Sequence, residues 1–175
     1  TQRPQIDGSA DQILAALRQA AEPGEAGEVP GAAVLDQAAQ ALAGQFDRRN
    51  GGFGSAPKFP SPHILSFLLR QRDPQALEMV ERTLEAMRAG GMFDQVGLGF
   101  HRYATDARWR VPHFEKMLYD QALLALAYTE AWQVTGKSLY RRTAEEIFTY
   151  VLRDLASPQG AFYSAEDADS EGEEG

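Results

Sequence analysis

No cysteine occurs among the 175 residues of the sequence, which excludes disulfide bonds, thiolate nucleophiles and cysteine-ligated metal sites from this chain. Basic residues are scarce as well: 17 Lys and Arg residues stand against 25 Asp and Glu residues, and the formal net charge is −8. Nucleic acids are bound by basic surfaces, so we expect no nucleic-acid partner. No apolar run approaches the roughly 20 residues that span a bilayer, so we expect no membrane partner. The lack of cysteine fits a reducing compartment, and we expect a cytoplasmic location.

The length and the pattern of apolar residues predict one helical domain preceded by a shorter helix. A chain of this length supports one hydrophobic core, and two cores would be cramped. A first amphipathic stretch follows Ser9, and residues 23–31 are rich in Pro, Gly and Glu, which is typical of a linker. We therefore divide the chain into an N-terminal helix and linker, 1–31, and a helical domain, 32–175. Because the chain lacks an initiator Met and ends in an acidic, glycine-rich run, we interpret it as a piece of a longer protein.

Two kinds of helix alternate along the helical domain. The segments 62–70 and 113–135 are apolar almost all round, whereas 74–89 and 138–155 each carry a single apolar stripe. A helix that is apolar all round must be covered on several sides, so we expect the first pair to be more buried than the second. The alternation predicts an all-α fold, a partial (α/α) toroid of helical hairpins, with a plain helical bundle as the alternative. No strand-like alternation of useful length is present.

Three loops rich in Gly and aromatic residues connect the striped helices to the apolar ones, at 51–60, at 90–112 and around 160–163. In a toroid these connections lie at the same end, together with the N-termini of the inner helices. Free backbone N–H groups and the helix dipole favour anionic or hydroxyl-rich ligands there. The sequence therefore predicts one functional face made of three loops.

The middle loop carries the densest set of chemically active side chains. His101 and His113 can exchange protons near neutral pH, and Asp94 and Glu115 lie close to them in sequence, so these four are our candidate catalytic residues. The alternative for each histidine is a structural ring that only hydrogen-bonds a backbone carbonyl. The candidate substrate-binding residues are Arg102, Tyr103, Trp109, Lys58, Tyr163, Glu166 and Asp167.

Two metal sites are alternatives to this interpretation. His101, His113 and Glu115 have the residue types of a two-histidine, one-carboxylate site, but their spacing is not helical. The run 167–172 resembles the first half of a calcium loop, but the chain ends before the glutamate that such a loop needs. We therefore expect neither a metal nor a cofactor, and we expect the acidic tail from Glu166 onward to be loosely held.

Four motifs within residues 35–175 resemble those of one family and occur in the same order. They are GGFGSAPKFP (51–60), GFHRY (99–103), VPHFEKMLYD (111–120) and YSAEDADS (163–170). The family is the thioredoxin-domain-containing one typified by the spermatogenesis-associated thioredoxin-like protein. The departures are small: Leu98 and Ala161 stand where the family pattern has Gly, and Ala104 stands where it has Ser.

The resemblance implies the first hairpins of a helical domain similar to six-hairpin glycosidases and N-acylglucosamine 2-epimerases, attached in the intact protein to a thioredoxin-like domain. It also implies a carbohydrate ligand, with His101, Arg102, Tyr103 and His113 similar to the acid/base and sugar-contacting residues of the epimerases. A glycosidase would instead need two carboxylates, for which Asp94, Glu115, Glu166 and Asp167 are available. The alternative is a non-catalytic binding or scaffolding domain that serves the thioredoxin-like domain.

We predict that this 175-residue chain, taken alone, is catalytically silent and self-associates. Part of a toroid leaves the apolar flanks of its inner helices without the hairpins that cover them, and such a surface is most simply covered by a second copy. Sedimentation or light scattering over a wide concentration range measures the association. A monomer at every concentration, with a cooperative melt, would favour the plain bundle and contradict the truncated toroid.

Overall fold

The computed structural model describes residues 3–21, 29 and 31–174. The chain divides into two compact units, 1–34 and 35–175, and the division falls in the first turn of α2. The predicted linker, 23–31, lies outside the described residues except for Val29 and Gly31. The domain boundary at residue 31 stays a prediction, because a division by contacts does not show which part folds independently.

In the first unit, helix α1 (Arg3–Ala21) begins six residues before Ser9, so Ser9 lies inside the helix and does not cap it. The reason is Pro4, which occupies the first turn, where its missing N–H breaks no helical hydrogen bond. None of the α1 residues is buried.

The second unit is built from helices and very short strands. The helices are α2 (Ala33–Gln45), α3 (Pro62–Arg70), α4 (Pro74–Ala89), α5 (Leu118–Thr135) and α6 (Ser138–Tyr150), and α6 continues as a π-helical turn, Val151–Leu155. The strands are β1 (Tyr103–Ala104), β2 (Pro112–His113), β3 (Lys116–Met117), β4 (Ala165–Glu166), β5 (Asp169–Ser170) and β6 (Glu173–Glu174). The all-α class is confirmed, with 57% of the described residues helical. No described helix is long and apolar enough to cross a membrane.

The helix ends follow the sequence signals only in part. Asp73 caps α4 as its position before Pro74 predicts, because its carboxylate accepts from the Ala76 N–H at 2.8 Å. Ser61 precedes α3 but makes no side-chain cap. Helix α5 begins at Leu118, five residues later than predicted, because residues 112–113 and 116–117 pair with other strands.

The helices pack as two hairpins, α3–α4 and α5–α6, with α5 against both α3 and α6. A chain of aromatic rings runs through the core from Phe93 to Phe100 to Tyr128 to Tyr140, with centroid separations of 4.9, 5.5 and 6.2 Å. The Gln121 amide closes the core under the middle loop, since it accepts from the Phe100 N–H at 2.8 Å and donates to the Phe100 carbonyl at 2.6 Å.

The predicted contrast in burial between the inner and the outer helices is present but small. Four of nine residues are buried in α3 and seven of 18 in α5, against six of 16 in α4 and five of 13 in α6. The physical reason is the outward stripe of α5, where Leu123, Leu126 and Val134 are 41%, 56% and 56% exposed. No described helix covers this stripe, so an all-round apolar composition does not produce all-round burial here.

Strand pairs and bridges join the three loops, which we name the first loop (46–61), the middle loop (90–117) and the third loop (156–174). Lys58 of the first loop bridges Ala104 of the middle loop. Strand β3 of the middle loop pairs antiparallel with β4 of the third loop, Lys116 opposite Glu166. Within the tail, β5 and β6 form an antiparallel pair with each other, and the expectation that the tail is loosely held stays a prediction. We call the surface that these loops form the loop face.

Lys58 and Trp109 lie in the interior, which corrects their prediction as substrate-binding residues. Both are fully buried. The Lys58 ammonium donates to Asp47 Oδ2 at 2.7 Å, to the Gly51 carbonyl at 2.8 Å and to the Ala107 carbonyl at 3.0 Å, and it lies 5.3 Å from the centre of the Trp109 ring. The pair fastens the first loop to the middle loop, because a buried ammonium must be surrounded by oxygen acceptors.

We predict that Gly52→Ala destabilises the fold by about 2–4 kcal/mol, whereas Gly54→Ala costs about 1 kcal/mol. Both glycines have left-handed backbones, at φ +81° and +76°. A Cβ at Gly52 would stand 2.4 Å from the Trp109 ring, whereas one at Gly54 meets nothing within 4 Å. Urea unfolding of the two variants separates steric overlap from backbone strain. Equal losses would show that Trp109 moves aside without cost.

Candidate functional site

Three rings stand side by side on the loop face. The Tyr103 ring stacks on His113 with centroids 4.9 Å apart and contacts Phe59 at 5.0 Å. Tyr103 and His113 are register partners of β1 and β2, and the bridge between Lys58 and Ala104 places Phe59 alongside them. Phe59 is 48% exposed, so the row of rings reaches solvent. Such a surface has the flat apolar faces on which a sugar ring stacks.

The Glu115 carboxylate joins Arg102 to His113. Its Oε2 accepts from Arg102 Nη1 at 2.8 Å and lies 3.8 Å from His113 Nε2. Hydrogen bonds to Glu115 and to Tyr119 raise the pKa of Arg102, so the guanidinium remains charged. Arg102 Nε is buried and has no hydrogen-bond partner among the described residues, which leaves an unused donor within the cluster.

His101 lies beneath this surface and is only 6% exposed. Its Nδ1 is 3.0 Å from the Phe114 carbonyl, which only accepts, so Nδ1 carries the proton and Nε2 carries the lone pair. Burial lowers the pKa of His101, although the Phe114 carbonyl acts against this. The ring is therefore neutral at neutral pH and is held in one orientation. This arrangement matches the alternative given in the sequence analysis, a structural histidine that hydrogen-bonds a backbone carbonyl.

Asp94 fastens the middle loop through its ion pair with Lys116, and its role as a catalytic residue stays a prediction. Its Oδ2 accepts from Lys116 Nζ at 2.8 Å, and its Oδ1 accepts the N–H groups of Val96 and Gly97 at 2.9 and 2.7 Å. Burial opposes ionisation, but the hydrogen bonds from Lys116 and these backbone groups outweigh it, and the pKa falls to about 2. A carboxylate held so firmly in its ionised form is a weak proton carrier.

Lys116 is the second buried ammonium of the loop face and is 5% exposed. Besides Asp94, it donates to the Leu98 carbonyl at 3.1 Å, lies 3.9 Å from Glu166 Oε2 and stands 4.6 Å above the Tyr150 ring. The same Glu166 oxygen accepts from the Tyr150 hydroxyl at 2.6 Å. Glu166 is thus joined to the middle loop, on the side of Asp94 and Lys116.

Tyr163 and Asp167 are not part of either cluster. Tyr163 is 53% exposed, and its backbone N–H donates to the Leu155 carbonyl at 2.8 Å. The Asp167 carboxylate accepts from the Asp169 N–H at 3.1 Å. The structure gives both residues local turn contacts, and their role as substrate-binding residues stays a prediction.

Asp120 is a candidate that the sequence analysis did not select. It lies in the first turn of α5 and is 6% exposed. Burial raises its pKa to about 6, with the charge of Arg102 acting against the rise and that of Glu115 adding to it. Its position in the motif VPHFEKMLYD was the available signal. The local start of α5 decides that Asp120 turns inward, and the sequence alone does not show this.

Within the described ranges, no group of three or more His, Asp or Glu side chains is arranged to hold a metal ion. A cleft of about 720 Å³ does open at the opposite end of the helices, lined by the end of α3, the start of α4 and the last turns of α5. It contains no histidine, and its ion pair, Arg70 with Glu130, is bidentate and satisfied. Of these two places, the loop face is the one that carries histidine side chains.

Comparison with known proteins identifies relatives along most of the chain. The sequence is 51% identical over 152 residues to spermatogenesis-associated protein 20 of Homo sapiens, covering 82% of this chain and 19% of the relative. It is 46% identical over 155 residues to the protein of the same name from Rattus norvegicus, covering 83% and 20%. The chain thus spans about a fifth of the length of the curated relatives it matches. No protein-family model matches the sequence.

Solved structures share the fold at low sequence identity. Cellobiose 2-epimerase from Bacillus thermoamylovorans superposes with a TM-score of 0.63 at 17% identity, covering 72% of this chain and 37% of that one. A sugar epimerase from a ruminal bacterium gives 0.64 at 16% identity, covering 77% and 40%. An endoglucanase from Komagataeibacter sucrofermentans gives 0.58 at 16% identity, covering 75% and 43%. These likenesses confirm the (α/α) toroid fold.

We predict that the stability difference between the wild-type protein and Asp94→Asn is full above about pH 5 and closes as the pH falls toward 2. The folded-state pKa of Asp94, about 2, is below the ordinary 3.8, so in this window the unfolded chain binds more protons than the folded one. Urea unfolding between pH 2 and 6 measures the difference. Asp36→Asn, an exposed position in α2, is the control. A difference that persists unchanged at pH 2 would contradict the assignment.

Proposed function

We propose, from the premise that this chain belongs to the family of spermatogenesis-associated protein 20, that its helical domain binds a carbohydrate on the loop face and transfers protons there by epimerase-like chemistry. The family follows from 51% identity along 82% of the chain. The chain shares its fold with a cellobiose 2-epimerase, a sugar epimerase and a D-mannose isomerase. Because the chain spans only about a fifth of its relatives, the activity of the whole protein is part of the proposal.

One observation carries the proposal: the row of rings, which reaches solvent at Phe59, ends at the acid/base cluster. His113 is both the last ring of the row and the neighbour of Glu115 Oε2, 3.8 Å away. A sugar stacked beside Phe59 and Tyr103 would have its hydroxyl or carbonyl groups next to an imidazole, a carboxylate and a guanidinium. Apolar contact combined with a few oriented polar groups is typical of ligand sites.

Epimerisation next to a carbonyl needs a base that removes a proton from carbon and an acid that returns one to the opposite face. We assign the exchange to His113, since imidazole is suited to both roles near neutral pH. Glu115 would orient His113, and Arg102 would hold Glu115, as the hydrogen bond of 2.8 Å indicates.

The environment of the carboxylates supports this chemistry over glycoside hydrolysis. A glycosidase needs one carboxyl group that stays protonated and a second carboxylate across the pocket. Asp94 is held ionised by Lys116, and Glu166 accepts from the Tyr150 hydroxyl. Two of the four carboxylates considered from the sequence therefore serve the loop scaffold.

The proposal extends to the intact protein, in which a thioredoxin-like domain would precede this one and the location would be cytoplasmic. Both points rest on the family resemblance and on the composition of the chain. The non-catalytic alternative, a binding domain that serves the thioredoxin-like domain, makes a different prediction for proton exchange.

We predict that the intact protein incorporates deuterium from D₂O at the carbon next to the carbonyl of cellobiose or D-mannose. His113→Gln should lower the exchange rate by about 10²–10⁴-fold. The melting temperature and the thermal shift on sugar binding should change little, since His113 is only partly buried. NMR of the sugar measures the exchange. His63→Gln is the control, because His63 is exposed in the first turn of α3.

Three results would count against parts of this assignment. A sugar-dependent thermal shift without deuterium exchange would support the binding domain and remove the catalytic role. The absence of both would remove the carbohydrate. Equal loss of exchange in His63→Gln and His113→Gln would show that the imidazole of His113 has no special part.

A further inference from the structure

Four arginine side chains line one cleft beside α4. The cleft has a volume of about 430 Å³ and lies between the second half of α4 and the turns at 49–50 and 108–110; its lining includes Arg49, Asn50, Arg82, Glu85, Arg108 and Arg110. The chain as a whole carries a net charge of −8. The four guanidinium groups therefore form a local concentration of positive charge in an acidic protein.

The described residues offset the positive charge of the cleft only in part, through Glu85 in its lining and through Asp106, which lies close enough to Arg110 to interact with its charge. The single lining carboxylate, Glu85, already accepts from Lys137 Nζ at 3.1 Å and from the Tyr140 hydroxyl at 2.9 Å. Within the described part of the chain, none of the four arginines has a carboxylate within ion-pair distance, and Arg82 donates instead to the Arg49 carbonyl at 2.8 Å. Like charges held together repel one another, so an anion entering the cleft would stabilise it.

The turn that carries Arg108 and Arg110 is held in place by Trp109 and Asp106. Trp109 points inward, is fully buried, and donates from Nε1 to the Asn50 carbonyl at 3.0 Å. Its two neighbours in sequence are consequently exposed, and both line the cleft. Asp106 fixes the backbone by accepting the N–H groups of Arg108, Arg110 and Val111 at 2.6, 3.1 and 2.7 Å.

The turn that carries Arg49 is fixed in the same manner. Asp47 Oδ1 accepts the N–H groups of Arg49 and Asn50, each at 3.0 Å. Asp47 is itself ion-paired to the buried Lys58, and although burial opposes its ionisation, these hydrogen bonds hold its pKa well below the ordinary value. Two aspartates thus order the backbone on both sides of the cleft before any ligand arrives, which lowers the entropy cost of binding.

We propose that this cleft binds the phosphoryl group of a small molecule. Guanidinium groups match the oxygens of phosphate in paired, charge-assisted hydrogen bonds, and several of them can reach one tetrahedral dianion. The volume lies within the range of small-molecule sites. A chain of net charge −8 is unsuited to a long polyanion, because it lacks the extended basic surface that such a ligand needs. The site uses none of the residues assigned to the carbohydrate and stands independently of that proposal.

The experiment is isothermal titration calorimetry of the intact protein with inorganic phosphate, inorganic pyrophosphate and glucose 6-phosphate at constant ionic strength. We expect saturable binding at one site. Arg108→Gln/Arg110→Gln should weaken it at least about tenfold, since hydrogen bonds between a guanidinium and a phosphate are stronger than neutral ones. Arg18→Gln/Arg142→Gln, which removes the same charge from exposed positions outside the cleft, should leave binding unchanged.

The ligands also identify the source of the phosphoryl group. Tighter binding of glucose 6-phosphate would indicate a phosphorylated sugar, and tighter binding of the inorganic ions would indicate free phosphate or pyrophosphate. No saturable heat with any of the three would overturn the proposal. Equal weakening by both double variants would overturn it too, because that result reflects net charge alone. Circular dichroism of each variant shows that it is folded.

Discussion

A lysine ammonium cannot be buried unless oxygen atoms surround it, and the loop face is organised by two such groups. Lys58 gathers oxygens from Asp47, Gly51 and Ala107, and Lys116 gathers oxygens from Asp94 and Leu98. The acceptors of Lys58 come from the first and middle loops, and Glu166 near Lys116 comes from the third. Removing either ammonium would take a charged donor from an aspartate and leave a backbone carbonyl without its side-chain donor, which costs more than the contact itself contributes. The row of rings and the arginine cleft both depend on this internal arrangement.

The helical part of the fold could be predicted from the sequence because its causes are local. The apolar period, the Asp73–Pro74 start and Gly136 after α5 act within a few residues, and the structure has helices at each of these places. The start of α5 could not be predicted in this way, because residues 116–117 pair with a strand about fifty residues later in the chain. The burial of α5 is little greater than that of the outer helices for a related reason. The composition of a helix shows what its surface is made of and not what packs against it.

The candidate site, too, could be predicted where its causes are local and could not where distant contacts decide. The three loops and most of their polar residues were predictable, since long aromatic loops in a compact domain usually have a purpose. The roles of individual side chains were not. Asp94 and Asp120 have the same chemistry in sequence, yet hydrogen bonds lower the pKa of Asp94 to about 2 and burial raises that of Asp120 to about 6. Trp109 and Lys58 resemble ligand contacts in a motif, and only their partners, many residues away, show them to be internal supports.

The pairing of β3 with β4 bears on the order in which the molecule is assembled. Hairpins such as α5–α6 join segments close in sequence and form quickly, whereas contacts across long separations form slowly because loop closure must precede them. Lys116 and Glu166 are partners across both α5 and α6, so they meet only after that hairpin has closed. The loop face is therefore completed on a helical frame that already exists. A local opening of the third loop would expose Lys116 and Asp94 while the aromatic core remained folded, so amide hydrogen exchange should reach β3 and β4 before it reaches the helices of the core.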